Sequence, residues 1–472
     1  MKTKTIFLTL LFLLCTPVLL LVCGFALPAQ YDATFLGELK YKAARLAEES
    51  ETPRLVLVGG SAAAFGVDSA LLQAALPEYK VVNYGMYAAL GTTAMLDLTL
   101  PDLRAGDLVI LMPEQQAQTL SCYFNAEGMW QGLDGAFALL PRINRQHCGR
   151  LAGNFPAFAA QKLGYFLSGT AAPGSGVYAR AGFNAYGDLD DAACAHNTMP
   201  GGVDANTPIV FEPAVFSADF AAYANAYANA AAQKGAAVYY HFSPMNAAAV
   251  TPTADMDAYC ENLRAALDFA LMGSPHTAVM EAGWFYDSNF HLNQSGRTVF
   301  TTQLIRDCKA VLGNTTPTEI SLPEMPALAA PALHAGADNT DAGCFTWERR
   351  GAEIALTGLT EAGQTRQALT LPAELDGLPV TVLESTVFAG DTALQTVTIP
   401  ASLAAIADGA FAGCTALEKI CLLSADPTAC TVGQALLKGT AATIYVPQSA
   451  LNAYKLNYFW SVYAARMAAQ KP

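Results

Sequence analysis

Positive charge is scarce in this chain. Its 472 residues carry 26 Lys and Arg against 40 Asp and Glu, a net charge of −14. That balance excludes a nucleic-acid partner and a basic membrane-surface patch. Charge of either sign is sparse at 14%, and 53% of the residues are hydrophobic, so the chain has a large core and is not disordered. No CxxC pair and no Cys/His spacing of the zinc kind occurs among the eleven cysteines, so neither a metal nor a cofactor is expected. At this length two or more domains are expected.

The N-terminus has what the rest lacks, a long uncharged run. Lys2 and Lys4 precede Ile6–Leu27, 22 residues without charge. That is enough to cross a bilayer of ~30 Å as a helix, with the basic residues holding the N-terminus in the cytoplasm. A cleaved signal peptide is the rival reading, with a usual apolar region of only ~7–15 residues and a small-x-small cleavage site that is not evident here. Residues 1–29 are therefore read as a membrane anchor or signal segment, and the remainder as extracytoplasmic. Cys15 and Cys23 lie in the apolar run, leaving nine cysteines outside it, an odd number. Disulfides are permitted there, with Cys122, Cys148 and Cys194 as loop candidates and no readable pairing.

Arg54–Val58 is a short, almost wholly apolar run ending at Gly59 and Gly60. Such a run fits a strand buried on both faces of a parallel sheet. Ser61 follows at its carboxyl end, before a helical pattern from about Val67 to Leu76. Open α/β sheets place their sites at that edge, although a serine there also serves as a helix cap. Further strands are expected at Lys80–Tyr84, Leu108–Met112, Ala236–Phe242 and His276–Ala282. Helices are expected at Gly91–Leu100, Ser217–Lys234, Asp255–Leu271 and Ser295–Leu312. Residues 121–205 read as an insertion or lid. The alternation predicts an α/β fold, a doubly wound, mostly parallel sheet of three layers.

After the last strand comes Phe285-Tyr-Asp-Ser-Asn-Phe-His-Leu-Asn293. An acyl-transfer serine needs an imidazole to take its proton, and that imidazole needs a carboxylate to fix its tautomer and orientation. Ser61 early and Asp287 with His291 late can meet if both loops leave one edge of the sheet. The plain alternative is a loop histidine bonded to a neighbouring aspartate. Asn246, after the Ala236–Phe242 strand, is a secondary binding candidate on the same edge, beside His241 and Ser243.

On Gly59-Gly60-Ser61 with Phe65-Gly66, on Asn83-Tyr84-Gly85 and on Asp287…His291-Leu292-Asn293, the chain from about residue 30 to 313 resembles the SGNH (GDSL-type) hydrolase superfamily. It looks closest to membrane-anchored bacterial members linked to acyl transfer on cell-surface polymers. The resemblance implies Ser61 as nucleophile, His291 and Asp287 as the rest of the triad, and the amides of Ser61 and Gly85 as oxyanion donors, with Asn83 beside them. Two departures stand out. Where the family carries an Asn after the third strand, this chain has Pro113-Glu114-Gln115-Gln116, so Gln115 or Gln116 is the candidate substitute. Glu114 would oppose an oxyanion unless it points away. The Asp-x-x-His spacing is one residue longer, with three residues between Asp287 and His291.

Asn314–Asp341 holds Pro317, Pro323, Pro326 and Pro331 without apolar periodicity, an interdomain linker over 314–341. Beyond it, over 342–472, two segments align at an offset of 23 residues, Leu383…Phe388-Ala-Gly390…Leu394…Val397…Ile399-Pro400 and Ile406…Phe411-Ala-Gly413…Leu417…Ile420…Leu422. Asp376-Gly-Leu-Pro379 reads as a turn insertion. A period in the twenties marks a short solenoid with one strand per repeat. Phe345 to Met467 resembles leucine-rich repeats of the BspA type, closing on Tyr445-Val-Pro447…Tyr454…Trp460…Tyr463. Phe388, Phe411 and Cys414 are then core ladder residues. The resemblances imply an anchored surface esterase or O-acyltransferase acting on an acylated cell-surface glycan or polymer, with a protein partner for the repeats. The alternative is a non-catalytic surface glycan-binding or adhesion protein on a degenerate SGNH fold, and a third reading makes the α/β domain a mere spacer.

Overall fold

Arg54–Gly59 is buried along its whole length, as its apolar sequence requires. In the computed structural model, which describes residues 15–470 except 175, 205, 318, 329–338, 340, 434 and 458, this strand is central. We label it β1, followed by β2 (Lys80–Asn83), β3 (Leu108–Met112) and β4 (Ala237–His241). With the edge strand Leu271–Met272 they form one sheet in the order β2-β1-β3-β4-edge, and every pairing is parallel. Helices follow the strands. Asp68 caps Ser69–Ala75, Ser217 caps Ala218–Gln233, Asp255 caps Met256–Ala266 and Asn293 caps Gln294–Leu312, each accepting a backbone N–H of the first turn as short polar side chains do.

One expected strand is corrected. His276–Ala282 does not join this sheet. Pro275, with fixed φ and no N–H, starts a short helix Pro275–Ala278 capped by Ser274. Only Val279–Met280 extends, pairing with Met245–Asn246 in a separate two-stranded sheet. Leu271, expected to end the helix Asp255–Leu271, instead starts the edge strand Leu271–Met272.

The sheet's amino edge is closed by charge. Arg54 and Asp107 are each about 1% exposed and form a buried pair. Asp107 accepts from the Arg54 backbone N–H at 2.8 Å, from its Nε at 3.1 Å, and from the Arg104 N–H at 2.8 Å. Within 121–205 lie Ala126–Gly132 and the long helix Cys148–Ser168. Lys162 on that helix is fully buried, pairs with Asp134 at 2.6 Å and donates to the Gly24 carbonyl at 2.9 Å. Phe25 packs among Trp130, Phe137 and Phe155. Residues 15–21 are helical. Residues 1–14 of the expected anchor lie outside the described residues, among which no helix is long and apolar enough to cross a membrane. Cys122 and Cys148 are thiols without a disulfide, and Cys194 is buried.

The chain divides into two compact units, and the division is not a single cut. The first comprises Met1–Ala195, Ile209–Trp284 and Phe290–Pro326; the second comprises His196–Pro208, Phe285–Asn289 and Ala327–Pro472. Two short stretches of the α/β segment therefore cluster with the repeats. Asn206 explains one of them, donating to the Ile406 carbonyl at 3.0 Å and accepting from the Asp408 N–H at 2.9 Å.

The repeats stack as a leucine-rich ladder. Ala368–Thr370, Thr396–Ile399, Lys419–Leu422, Thr443–Val446 and Met467–Ala469 pair in chain order, all parallel. A second series of strands, Leu378–Leu383, Ala405–Ile406 and Thr431–Val432, also runs parallel, so each turn of the solenoid carries two strands where one was expected. Asp376 and Gly377, at φ 51° and 71°, make the tight turn of the Glu374–Leu375 hairpin, the Asp-Gly pair that such a turn favours. Phe388 stacks on Phe411 with ring centroids 5.2 Å apart, and Cys414 Sγ donates to the Phe388 carbonyl at 3.0 Å. Trp460, fully buried, closes the end by donating to the Cys430 carbonyl at 2.9 Å. Phe411→Ala is expected to destabilise the repeats by ~3–5 kcal/mol through lost burial and the cavity left behind, measured by chemical denaturation of the intact chain.

Candidate active site

Ser61 sits where β1 ends. Gly60 is the cap, and Ser61 opens the helix Ser61–Gly66. That helix puts Phe65 one turn from Ser61 on the same face. His291 arrives from the loop before Gln294–Leu312 and lies flat on Phe65, with centroids 4.1 Å apart and an interplanar angle of 5°. The stacking fixes the imidazole plane and aims Nε2 at the serine, 2.8 Å from its Oγ. Both residues are buried, at 4% and 3% exposure. At Nδ1 the ring meets the Tyr178 hydroxyl at 3.2 Å. A hydroxyl donating to Nε2 requires the tautomer protonated at Nδ1, and the Tyr178 oxygen is an acceptor for that proton. A serine hydrogen-bonded to a base in this way is the starting geometry for nucleophilic attack.

The other expected residues are placed as follows. Asn83 is fully buried. Its Nδ2 donates to the Ala63 carbonyl at 2.9 Å and to Asp188 Oδ1 at 2.8 Å, and its Oδ1 accepts the Gly85 N–H at 2.9 Å. Asn83 thus clamps β2 to the Ser61 helix, and the Gly85 amide is engaged by that clamp. Lys42, also fully buried, donates to the Asn83 carbonyl at 3.0 Å and to that of Gly187; burial pushes its ammonium down to about 7. Gln115 turns elsewhere, its Nε2 donating to the Val210 carbonyl at 3.1 Å. Gln116 is half-buried, its N–H donating to the Glu114 carbonyl at 2.8 Å. Asn246 caps the turn Ala247–Ala249 by accepting the Ala248 N–H at 3.1 Å. His241 pairs with Asp307 at 3.1 Å. Asp287 lies in Phe285–Asn289, the stretch that clusters with the second unit; there Asn289 donates to the carbonyls of Asp204 at 2.7 Å and Thr207 at 3.0 Å.

Two contacts of His291 escaped the sequence, Phe65 as a stacking floor and Tyr178, while Glu114, read there as opposing an oxyanion unless it points away, is a direct neighbour of Ser61. Phe65 at i+4 from Ser61 carried a signal. Tyr178 carried none, because it comes from an irregular stretch far along the chain. Glu114 is the residue brought to Ser61 where Gln115 or Gln116 was expected. Its Oε1 accepts the Ala62 N–H at 2.8 Å and stands 3.5 Å from Ser61 Oγ. A Cβ on Gly60 would lie 2.3 Å from both Glu114 oxygens, so any other residue there would displace the carboxyl from this position. Burial, partly offset by the Ala62 amide and by His291, pushes the Glu114 carboxyl above its ordinary range. A group that binds its proton more tightly when folded makes the fold lose stability as pH rises from the unfolded pKa through the folded one. Glu114→Gln is therefore expected to melt progressively higher than the unaltered protein as pH rises from 5 to 8, in paired melting curves.

No family model matches the sequence, and no curated protein matches it. Among solved structures the chain is similar to a leucine-rich repeat protein of T. pallidum, at 30% identity over 17% of this chain and 41% of that one, with a TM-score of 0.15. It is also similar to a leucine-rich cell surface protein of Faecalibacterium prausnitzii A2-165, at 18% identity over 26% and 38% of the two chains, with a TM-score of 0.18. A leucine-rich repeat protein from Bacteroides capillosus ATCC 29799 is similar at 22% identity over 27% of this chain and 96% of that one, with a TM-score of 0.20. The parallel ladder of the second unit is a leucine-rich repeat solenoid on its own strand pairing, and these neighbours are of the same kind.

Proposed function

We propose that the chain is an extracytoplasmic, membrane-anchored esterase or O-acyltransferase of the SGNH type, acting on acyl esters of a cell-surface carbohydrate or polymer. The observation that carries this reading is the 2.8 Å approach of His291 Nε2 to Ser61 Oγ. Ser61 Oγ attacks the ester carbonyl while His291 takes its proton. The alkoxide leaves with that proton, and an acyl-serine remains. Water or a sugar hydroxyl then gives its proton to His291 and takes the acyl group, and His291 returns that proton to the departing Ser61 Oγ. Tyr178 holds the imidazole from the Nδ1 side, and Asp287 is proposed as the acid that supports the imidazolium. The Ser61 amide is the proposed backbone donor to the oxyanion. The repeats are proposed to bind a protein partner at the cell surface.

Incubation with an aryl acetate tests the reading. Release of the phenol and free acetate, lost in Ser61→Ala, supports hydrolysis. Acetate appearing on an added polysaccharide supports transfer, and neither product counts against both.

The second reading, a non-catalytic glycan platform, has specific support too. The Gly85 amide is engaged by Asn83 and a carboxyl stands beside the serine. An ionised Glu114 there would repel a developing oxyanion.

A further inference from the structure

Glu114 is buried to 2% exposure, and both its backbone and its carboxyl are hydrogen-bonded. Its backbone carbonyl accepts from the Thr119 hydroxyl at 2.5 Å and from the Gln116 N–H at 2.8 Å. The carboxyl occupies the space that a Cβ on Gly60 would take. Of its two oxygens, Oε1 takes the Ala62 N–H, and Oε2, also buried, has no hydrogen-bond partner among the described residues. Buried polar atoms are nearly always paired, and one left open beside a nucleophile asks for a ligand. The groups facing this carboxyl are the Ser61 hydroxyl and Ala62 amide from the helix, and His291 from the loop before the last helix. Its own segment adds the uncharged Gln115, Gln116 and Thr119. Among these His291 alone can carry charge, and its Nε2 is engaged by Ser61.

We infer that Glu114 is a catalytic residue in the proposed acyl transfer, a neutral carboxylic acid that donates a hydrogen bond from Oε2 to the acyl oxygen of the bound ester. The inference rests on the serine esterase reading. An amide proton fixed on Oε1 makes that atom the carbonyl oxygen of the acid and leaves the O–H at Oε2. A donor set in place before reaction stabilises the charge that develops on the acyl oxygen. A carboxyl kept neutral by an apolar site performs this task in other enzymes. The proton stays on Glu114 throughout: Ser61 gives its own proton to His291, and the Glu114 O–H strengthens its bond to the oxyanion and relaxes when the carbonyl reforms. The site therefore works with Glu114 protonated and fails as that proton is lost at rising pH. The acid takes the place where the sequence put Gln115 or Gln116.

Two measurements test it on the full chain. The first is the infrared spectrum at pH 7 of the protein and of Glu114→Gln, which reads protonation without turnover. The second is the pH dependence of the fluorophosphonate labelling rate of the protein, Glu114→Gln and Glu114→Ala. Expected are a protonated-carboxyl carbonyl band absent from Glu114→Gln, and a labelling rate that falls at high pH. Glu114→Gln, which keeps a donor, should label close to the unaltered rate and lose that decline. Glu114→Ala should label ~10²–10³-fold more slowly, the worth of one oxyanion donor. A missing band with labelling intact overturns the inference alone, as does a Glu114→Gln that labels faster than the unaltered protein. A band in a protein that does not label at all overturns the esterase reading and the role of Glu114 within it.

Discussion

Replacing His291 by alanine is expected to lower acyl transfer to Ser61 by ~10⁴–10⁶-fold, the scale of losing the base from a serine–histidine pair. The size follows from the geometry. Nε2 stands 2.8 Å from Oγ and the ring lies flat on Phe65, whereas the other acceptor beside the hydroxyl, Glu114 Oε1, is farther away at 3.5 Å. The serine would keep a poorly nucleophilic hydroxyl. The fold should survive, because the ring's stacking area is small beside the buried sheet. Stopped-flow labelling with an activated ester, beside unchanged melting, is the check. A loss of less than tenfold would show that His291 is a packing residue and that the Ser61 contact is incidental.

The second large effect lies at the opposite edge of the sheet. Asp107→Asn is expected to destabilise the first unit by ~3–5 kcal/mol, because it leaves the Arg54 guanidinium buried without its counter-charge. Arg54 starts the central strand and is 1% exposed. Its Nη2 also donates to the Asp102 carbonyl at 2.6 Å, so the charge cannot swing out to water without breaking further bonds. Replacing both residues, Arg54→Met with Asp107→Leu, should recover part of the loss. The recovery stays incomplete because Asp107 also accepts the amides of Arg54 and Arg104. Urea unfolding of the single and double variants measures both effects. A single substitution costing under ~1 kcal/mol would place this pair among ordinary surface bridges.

Much of the sheet was legible because burial on both faces leaves its strands with almost no polar residue. Arg54–Val58 and Leu108–Met112 were readable to within a residue. Ser61 and His291 were readable because the first lies on a glycine turn after a strand and the second lies between an extended stretch and a capped helix. The edge strand was not. In Leu271–Ala282 the β-branched content is low, and Pro275 with its Ser274 cap turns the chain into a helix where apolar content alone suggested a strand. Which of Glu114, Gln115 and Gln116 would face the serine was also out of reach. Consecutive residues in an extended segment point to opposite sides, and Gly60, the residue that admits the Glu114 carboxyl, reads in sequence only as part of a turn. Tyr178 meets His291 across more than a hundred residues through an irregular stretch with no period to read. The repeats declared themselves through their offset, since each turn must rebuild the same Phe and Leu ladder. The clustering of His196–Pro208 with them rests on Asn206 finding one backbone carbonyl and one amide, a contact that leaves no trace in composition.

The central claim is that Ser61 is an activated nucleophile. Labelling of the full chain with a fluorophosphonate, beside Ser61→Ala, tests it most directly. The account predicts one equivalent of covalent adduct, mapped to Ser61 by mass spectrometry and absent from Ser61→Ala. A folded protein that takes up no label, or labels equally without Ser61, would contradict it and leave the glycan platform as the standing account.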